Sequence, residues 1–233
     1  MTLLLSSGEA REYKYKTYFG ACPTRSAGAL TLKLIKEYET DYSLRDVKEL
    51  ISREKLEEKY FLESYKISKN PIEKKLFLSF ECPKPLLKVS AIEEAKIPAR
   101  DFILGSNGNL IDPIYETLLR NEKKIESVLP NLSIPFHQLT EQNRKVLSQM
   151  VLQLGDMYQS VLSELIVDSE SELTMIMSLQ GRPISIFFGS TEWEFKVKKL
   201  KQIIEFFNKK NRYPSIINLT NHKKVVVKFS DKS

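Results

Sequence analysis

The residue types that most often carry catalysis are few and widely spaced in this sequence. The chain has two cysteines, Cys22 and Cys82, and two histidines, His137 and His222. A nucleophile and its base must lie within hydrogen-bond reach of each other, and no motif brings a cysteine and a histidine together. The patterns His-Glu-x-x-His, Gly-x-Ser-x-Gly and Cys-x-x-Cys do not occur in the sequence. We therefore predict no catalytic residues, no metal site and no cofactor, and the cysteines are either small core residues or one bridge.

The remaining polar clusters are better explained by turns and solvated surfaces. Gly105-Ser106-Asn107-Gly108 lacks the length and the lysine of a phosphate-binding loop, and its Asn-Gly pair is typical of a hairpin turn. Asp112 precedes a proline, which favours a turn over a role as general acid. The other acidic pairs are scattered over segments that read as exposed: Glu57, Glu58, Glu63, Glu93 and Glu94.

Charge and length restrict the classes of partner. The chain has 233 residues, a formal charge of +6 and 42% hydrophobic residues, which is enough for one large or two small packed domains. The pI of about 9.1 is compatible with nucleic acid. However, 30 acidic residues are interspersed among the 36 basic ones, so we predict no nucleic-acid binding. Residues 1–7 are apolar and small, and suit either an irregular start or the end of a membrane anchor that precedes this chain.

The hydrophobic patterning predicts an α+β protein with two domains. Residues 13–19 alternate as a strand, two amphipathic helices follow, and residues 60–67 and 76–80 predict two further strands. Ser43 is in position to cap the second helix. Cys82-Pro83-Lys84-Pro85 favours neither helix nor strand and marks the domain boundary. The predicted order of the first domain is therefore strand, helix, helix, strand, strand.

The second domain is predicted to be rich in strands, with flanking helices. Residues 100–111 form one hairpin, residues 140–165 one long helix capped by Thr140, and residues 173–188 a second hairpin around Gln180-Gly181. Thr191 and Glu194 predict a capping box for a helix whose apolar face includes Trp193, Val197 and Leu200. Strands at residues 216–219 and 224–229 end the chain.

The last predicted strand is the feature most relevant to function. Val225, Val227 and Phe229 fall on one face, and Lys224, Val226 and Lys228 on the other. A chain that ends on an apolar strand can leave backbone donors and acceptors without a partner, which is a template for pairing with another chain. The alternative is that this strand lies inside the sheet, with the chain end covering the edge.

Taken in order, these segments resemble the extracytoplasmic part of the FtsQ/DivIB family of bacterial cell-division proteins, over residues 13 to 229. In the first domain, the resemblance lies in Asn70-Pro71 and in a strand that ends on Glu81 before a proline. In the second domain it lies in the following segments: Asn107-Gly108, Leu129-Pro130-Asn131-Leu132, Gly181-Arg182-Pro183-Ile184, Phe188-Gly189, Lys196 to Leu200 and Ile217-Asn218-Leu219. Asn218 stands where the family has Asp, and Thr220 where it has Arg.

The resemblance implies a POTRA-like domain (β-α-α-β-β) at residues 13–83 and an FtsQ-type mixed or antiparallel β domain at residues 84–229. Residues 1–12 would be an N-terminal segment that ends a membrane anchor, and residues 230–233 a tail. It also implies a single-pass inner-membrane protein at the division septum, with its bulk in the periplasm. In the oxidising periplasm, Cys22 and Cys82 could form a disulfide.

The resemblance further implies a non-enzymatic scaffold of the divisome. It would bind FtsB- and FtsL-type proteins by strand addition at the C-terminal sheet edge, with the septal peptidoglycan synthase complex as a further partner. Thr220 cannot make the Arg–carboxylate pair of the family, which Lys223 or Lys224 could replace. The implied partner-binding residues are Asn218, Thr220, Asn221, Lys223, Lys224, Val225, Val227 and Phe229. The alternative is a POTRA-containing factor of envelope assembly or transport, which predicts further POTRA repeats or a barrel.

Overall fold

The protein folds into two compact units. The computed structural model describes residues 13–92, 100–221 and 223–229. The first unit ends at Pro83 and the second begins at Lys84, within the Cys82–Pro85 segment. Residues 1–12 and 230–233, interpreted above as an anchor end and a tail, lie outside the described residues. Within the described ranges, no helix is long and apolar enough to span a membrane.

The first unit packs three helices on a small sheet. Its elements are β1 (Lys14–Tyr18), α1 (Thr24–Asp41), α2 (Leu44–Arg53), α3 (Leu56–Lys59), β2 (Ser64–Asn70) and β3 (Lys75–Glu81). The sheet order is β1-β3-β2, with β1 parallel to β3 and β2 antiparallel to it. Leu76, Leu78 and Phe80 alternate along β3 and are buried, because every second side chain of a strand points to the same face. Ser43 caps α2 as predicted, since its side chain accepts a hydrogen bond from the Asp46 backbone N–H.

A disulfide between Cys22 and Cys82 closes the first unit. Cys22 lies between β1 and α1, and Cys82 follows the last residue of β3. Because β1 and β3 are parallel neighbours, the residues that follow them leave the sheet at the same end. Both cysteines are buried, and the bond joins residues 60 positions apart in sequence.

The second unit is built on one large mixed sheet. Its strands are β4 (Pro85–Ile92), β5 (Arg100–Gly105), β6 (Leu110–Ile111), β7 (Asn131–Pro135), β8 (Leu162–Val167), β9 (Leu173–Leu179), β10 (Arg182–Gly189), β11 (Ile216–Asn218) and β12 (Val226–Lys228). Its helices are α4 (Ile114–Asn121), α5 (Glu141–Leu154), α6 (Asp156–Gln159) and α7 (Trp193–Lys210), with a 3₁₀ turn at Phe136–Gln138. Within the described residues, this sheet has nine strands, in the order β12-β11-β10-β9-β8-β7-β4-β5-β6. The predicted α+β class is confirmed.

The core of the second unit lies between the sheet and the helices α5 and α7. Leu173, Met175 and Met177 alternate along β9 and are buried against Leu200 and Leu147 of the two helices, within one apolar cluster. The β9–β10 hairpin around Gln180-Gly181 forms as predicted, because both residues adopt the positive φ that such a turn needs. β10 of this hairpin pairs with β11, and β11 pairs with β12.

Two predictions about helices are wrong. The helix expected over residues 140–165 ends at Leu154, where Gly155 adopts a φ of 80°, and residues 162–167 form β8 in the middle of the sheet. Thr191 does not cap α7. Glu192 is the N-cap residue, in a left-handed conformation, and no side chain caps the helix. The indole N–H of Trp193 donates to the carbonyl of Gly189 over 2.7 Å, and this contact fixes the start of the helix at Trp193.

Candidate functional site

The candidate site is the outer edge of the large sheet. In the part of the chain that the structure describes, β12 pairs with β11 alone. The pairing is antiparallel, with Ile217 opposite Val227 and Asn218 opposite Val226. Residues of an edge strand direct every second N–H and C=O away from the sheet, where an incoming strand can bind them. Within the described residues, β12 is therefore an edge strand; residues 230–233, which the alternative places over this edge, lie outside them.

The inner face of the edge is occupied within the protein. Val225 and Val227 pack against the core of the unit. The ring centroid of Phe229 lies 5.8 Å from that of Phe207 on α7, and the guanidinium carbon of Arg212 lies 4.1 Å from the Phe229 ring centroid. The side chains of Val225, Val227 and Phe229 therefore hold β12 on the sheet. A partner in contact with Phe229 has to share the ring with α7 and Arg212.

Two asparagines shape the turn that brings β12 back to β11. The Asn218 side-chain oxygen accepts hydrogen bonds from the backbone N–H and the hydroxyl of Thr220, at 2.9 and 2.7 Å. The Asn221 side-chain oxygen accepts from the backbone N–H groups of Lys223 and Lys224, at 2.8 and 3.3 Å. Such Asx contacts order a turn. Asn218, Thr220 and Asn221 therefore have a structural role here, whatever they contact in a partner.

The outer face of the edge exposes one residue that the sequence analysis did not select. Val226 is 60% exposed in the centre of β12, with exposed Lys224 and Lys228 two residues away on either side. Strand alternation already placed these three together, and this signal could have identified Val226. The apolar residues Val225 and Val227 on the other face are the stronger signal in the sequence, but that face packs on the core.

No protein-family model matches the sequence, and a search of curated proteins finds no match. The roles of the edge residues therefore rest on their geometry.

Other polar groups of the second unit support the fold. Lys196 of α7 is buried, and its Nζ donates to the carbonyl of Phe188 over 2.6 Å. Desolvation lowers the pKa of Lys196, and the nearby Glu192 carboxylate opposes this shift. Lys196 therefore satisfies a backbone acceptor at the end of β10.

No group of three or more His, Cys, Asp or Glu residues that could hold a metal ion occurs within residues 13–92, 100–221 and 223–229.

Replacing Lys196 by methionine is expected to change how stability depends on pH. Because the folded-state pKa of Lys196 is lower than its unfolded-state pKa, the unfolded chain binds more protons between the two values. The free energy of unfolding of the wild type, relative to Lys196→Met, should therefore rise as the pH approaches 10.5, the ordinary pKa of a lysine side chain, from below. Urea unfolding of both proteins at several pH values, followed by Trp193 fluorescence, measures this difference. Parallel pH profiles of the two proteins would contradict it.

Proposed function

We propose that this chain is the extracytoplasmic part of an FtsQ/DivIB-type division protein, a non-enzymatic scaffold of the divisome. It binds FtsB- and FtsL-type proteins by accepting a strand at β12, and so helps to assemble and regulate septal peptidoglycan synthesis. One observation carries this proposal: within the described residues, the sheet ends on β12, which has a neighbour on one side only.

The chemistry of the edge suits a polypeptide ligand. Backbone hydrogen bonds to an added strand give affinity, and alternate side chains give specificity. β12 has three residues, so it offers few outward backbone groups. Exposed Val226 and the flanking lysines must supply the rest, the valine by apolar contact and the lysines by pairing with carboxylates.

The first unit gives independent support. Its order of strand, helices, strand, strand and its β1-β3-β2 sheet are similar to a POTRA domain, apart from the additional short α3. The buried Cys22–Cys82 disulfide is typical of proteins outside the reducing cytosol. An extracytoplasmic scaffold at the cell membrane accounts for both features.

Two neighbouring proline substitutions test the edge. Consecutive strand residues direct their N–H groups to opposite sides, so of Val226→Pro and Val227→Pro one removes a bond to β11 and the other an outward donor. The variant that loses the bond to β11 should lower the melting temperature of the second unit. The variant that loses the outward donor should leave the melting temperature unchanged and weaken binding by about tenfold or more, because it removes a backbone hydrogen bond and places a ring in the pairing plane.

The measurement is the affinity of the purified chain for the periplasmic parts of the FtsB- and FtsL-type proteins from the same organism. Thermal unfolding, followed by Trp193 fluorescence, identifies which variant keeps its stability. Leu152→Ser is the control, because Leu152 is an exposed apolar residue of helix α5 and not of a strand next to β12. If the stable proline variant binds as well as the wild type, strand addition at β12 is wrong.

A further inference from the structure

The positive charge of the protein is concentrated at its C-terminal end. Residues 193–233 contain 11 of the 36 Lys and Arg residues but only 3 of the 30 Asp and Glu residues, which gives this segment a net charge of +8. Since the whole chain carries +6, residues 1–192 carry a net charge of −2. Half of this excess, a net charge of +4, lies on α7, which has six lysines and two glutamates. The basic character of the chain is therefore local, and α7 carries half of the net charge of this segment.

The outer face of α7 combines the exposed lysines Lys198, Lys209 and Lys210 with two exposed aromatic rings. Phe195 is 63% exposed and Phe206 is 55% exposed. They are eleven residues apart, which is close to three helical turns, so both rings lie on one side of the helix about 16 Å apart along its axis. The exposed Lys198 and Lys209 follow each ring at a spacing of three residues, on the same flank of this face. Lys210 Nζ lies 5.9 Å from the Phe206 ring centroid.

A cleft adjoins this face at its N-terminal end. It has a volume of about 570 Å³ and lies between the first turns of α5 and α7. Gln142 and Val146 line it on one side, and Trp193 and Phe195 on the other. Glu192 and Glu194 also border it, so this end of the face is acidic whereas the rest is basic. An apolar side chain that enters the cleft would contact Val146, Trp193 and Phe195.

From this combination we infer that the outer face of α7 and the adjoining cleft form a second docking surface, for an acidic amphipathic segment of another protein. The segment's carboxylates face Lys198, Lys209 and Lys210, and its apolar side chains cover Phe195 and Phe206 and enter the cleft. Two features favour a polypeptide over an anionic membrane. A flat bilayer does not fill the cleft, and it would place anionic headgroups against Glu194 and Glu205. This surface is separate from the outward edge of β12, so it is tested separately from the proposed function.

A synthetic helical peptide is a suitable probe. It carries leucines every three or four residues with glutamates on both sides, and a second peptide of the same length has lysine in place of every glutamate. Trp193 is the only tryptophan of the chain and lines the cleft, so its fluorescence reports occupancy. We expect the acidic peptide to shift this fluorescence saturably, with an affinity that falls as salt is raised. The basic peptide should bind at least about tenfold more weakly.

Two double variants identify the surface. Phe195→Ser with Phe206→Ser should weaken binding of the acidic peptide at least tenfold, because it removes most of the apolar area available for burial. Lys198→Glu with Lys209→Glu should weaken binding by about tenfold and remove most of its salt dependence. The matched controls are Leu32→Ser, an exposed apolar residue of α1, and Lys66→Glu, an exposed lysine of β2, and both should bind as the wild type does.

Three outcomes would overturn the inference. The first is equal affinity for the acidic and the basic peptide. The second is binding that neither double variant weakens more than the controls do. The third is binding to phosphatidylcholine vesicles that contain phosphatidylglycerol, lost in the same double variants, without binding of the acidic peptide. Val226→Pro and Val227→Pro separate this inference from the proposed function, because whichever of them keeps its stability should still bind the acidic peptide normally.

Discussion

Removal of the Cys22–Cys82 disulfide is expected to lower the melting temperature of the first unit by about 15–30 °C. The bond closes a loop between residues 60 positions apart, and the chain-entropy model assigns about 4 kcal/mol to a loop of this length. A unit of this size has a free energy of unfolding of roughly 4–10 kcal/mol, so the bond supplies much of its stability. Cys22→Ala with Cys82→Ala is the appropriate variant, because alanine leaves no polar group in these buried positions.

Differential scanning calorimetry of the whole chain measures this effect, and Trp193 provides an internal control. Because the only tryptophan lies in the second unit, the transition seen by its fluorescence should keep its midpoint when the disulfide is lost. Reductant should act on the wild type as the double substitution does, and should have no effect on the double variant. A first-unit transition that moves by less than about 5 °C would show that the loop constraint contributes little.

Phe188→Ala is expected to cost the second unit about 3–5 kcal/mol. Phe188 lies near the end of β10 with no exposed surface, and its ring belongs to the core cluster shared with α7. Truncation removes the transfer free energy of the ring and leaves a cavity beneath the strands that lead to β12. For a unit of about 150 residues this corresponds to a fall in melting temperature of roughly 6–20 °C.

The neighbouring residue supplies a matched control on the same strand. Phe187 points to the opposite face and is 36% exposed, so Phe187→Ala should cost only about 1 kcal/mol. Urea denaturation followed by Trp193 fluorescence gives both values, and the midpoint should fall much further for Phe188→Ala. Similar costs for the two substitutions would mean that the strand does not bury one face more deeply than the other.

Local patterns were sufficient to predict the elements that border the candidate site. The alternation of Leu173, Met175 and Met177 identified β9, and the spacing of Val197, Leu200 and Ile204 identified the inner face of α7. These elements each bury one face, so their periodicity is visible in the sequence. The boundary between the two units likewise falls at Pro83 and Lys84, within the segment predicted from its prolines, although Pro85 is the first residue of β4 and not part of a loop.

The strands in the middle of the large sheet were not predictable in this way. β4 begins with three consecutive buried residues, Pro85, Leu86 and Leu87, so it shows no alternation there. β8 carries apolar residues at 162 and 165, a spacing that also fits a helix. Its position follows from parallel pairing with β7, a contact between segments about thirty residues apart. Such non-local pairings leave no signal within a short window of sequence.

The candidate site was likewise predictable from the sequence only in part. The apolar residues at 224–229 predicted a strand, and their alternation assigned its two faces. The sequence could not show that Phe229 packs between Phe207 and Arg212, because those residues come from α7 and the loop after it. It also did not show that Asn218 and Asn221 bond within their own turn. The side chains left on the outer face of the strand are therefore fewer than the sequence implied.

The composition of β12 also bears on homodimer formation. Two copies that paired antiparallel around Val226 would place Lys224 of each chain opposite Lys228 of the other. Like charges directly across a strand pair oppose association, and a strand of three residues gains few hydrogen bonds to offset that repulsion. The same lysines that attract an acidic ligand should therefore keep the isolated protein from pairing with itself along this strand.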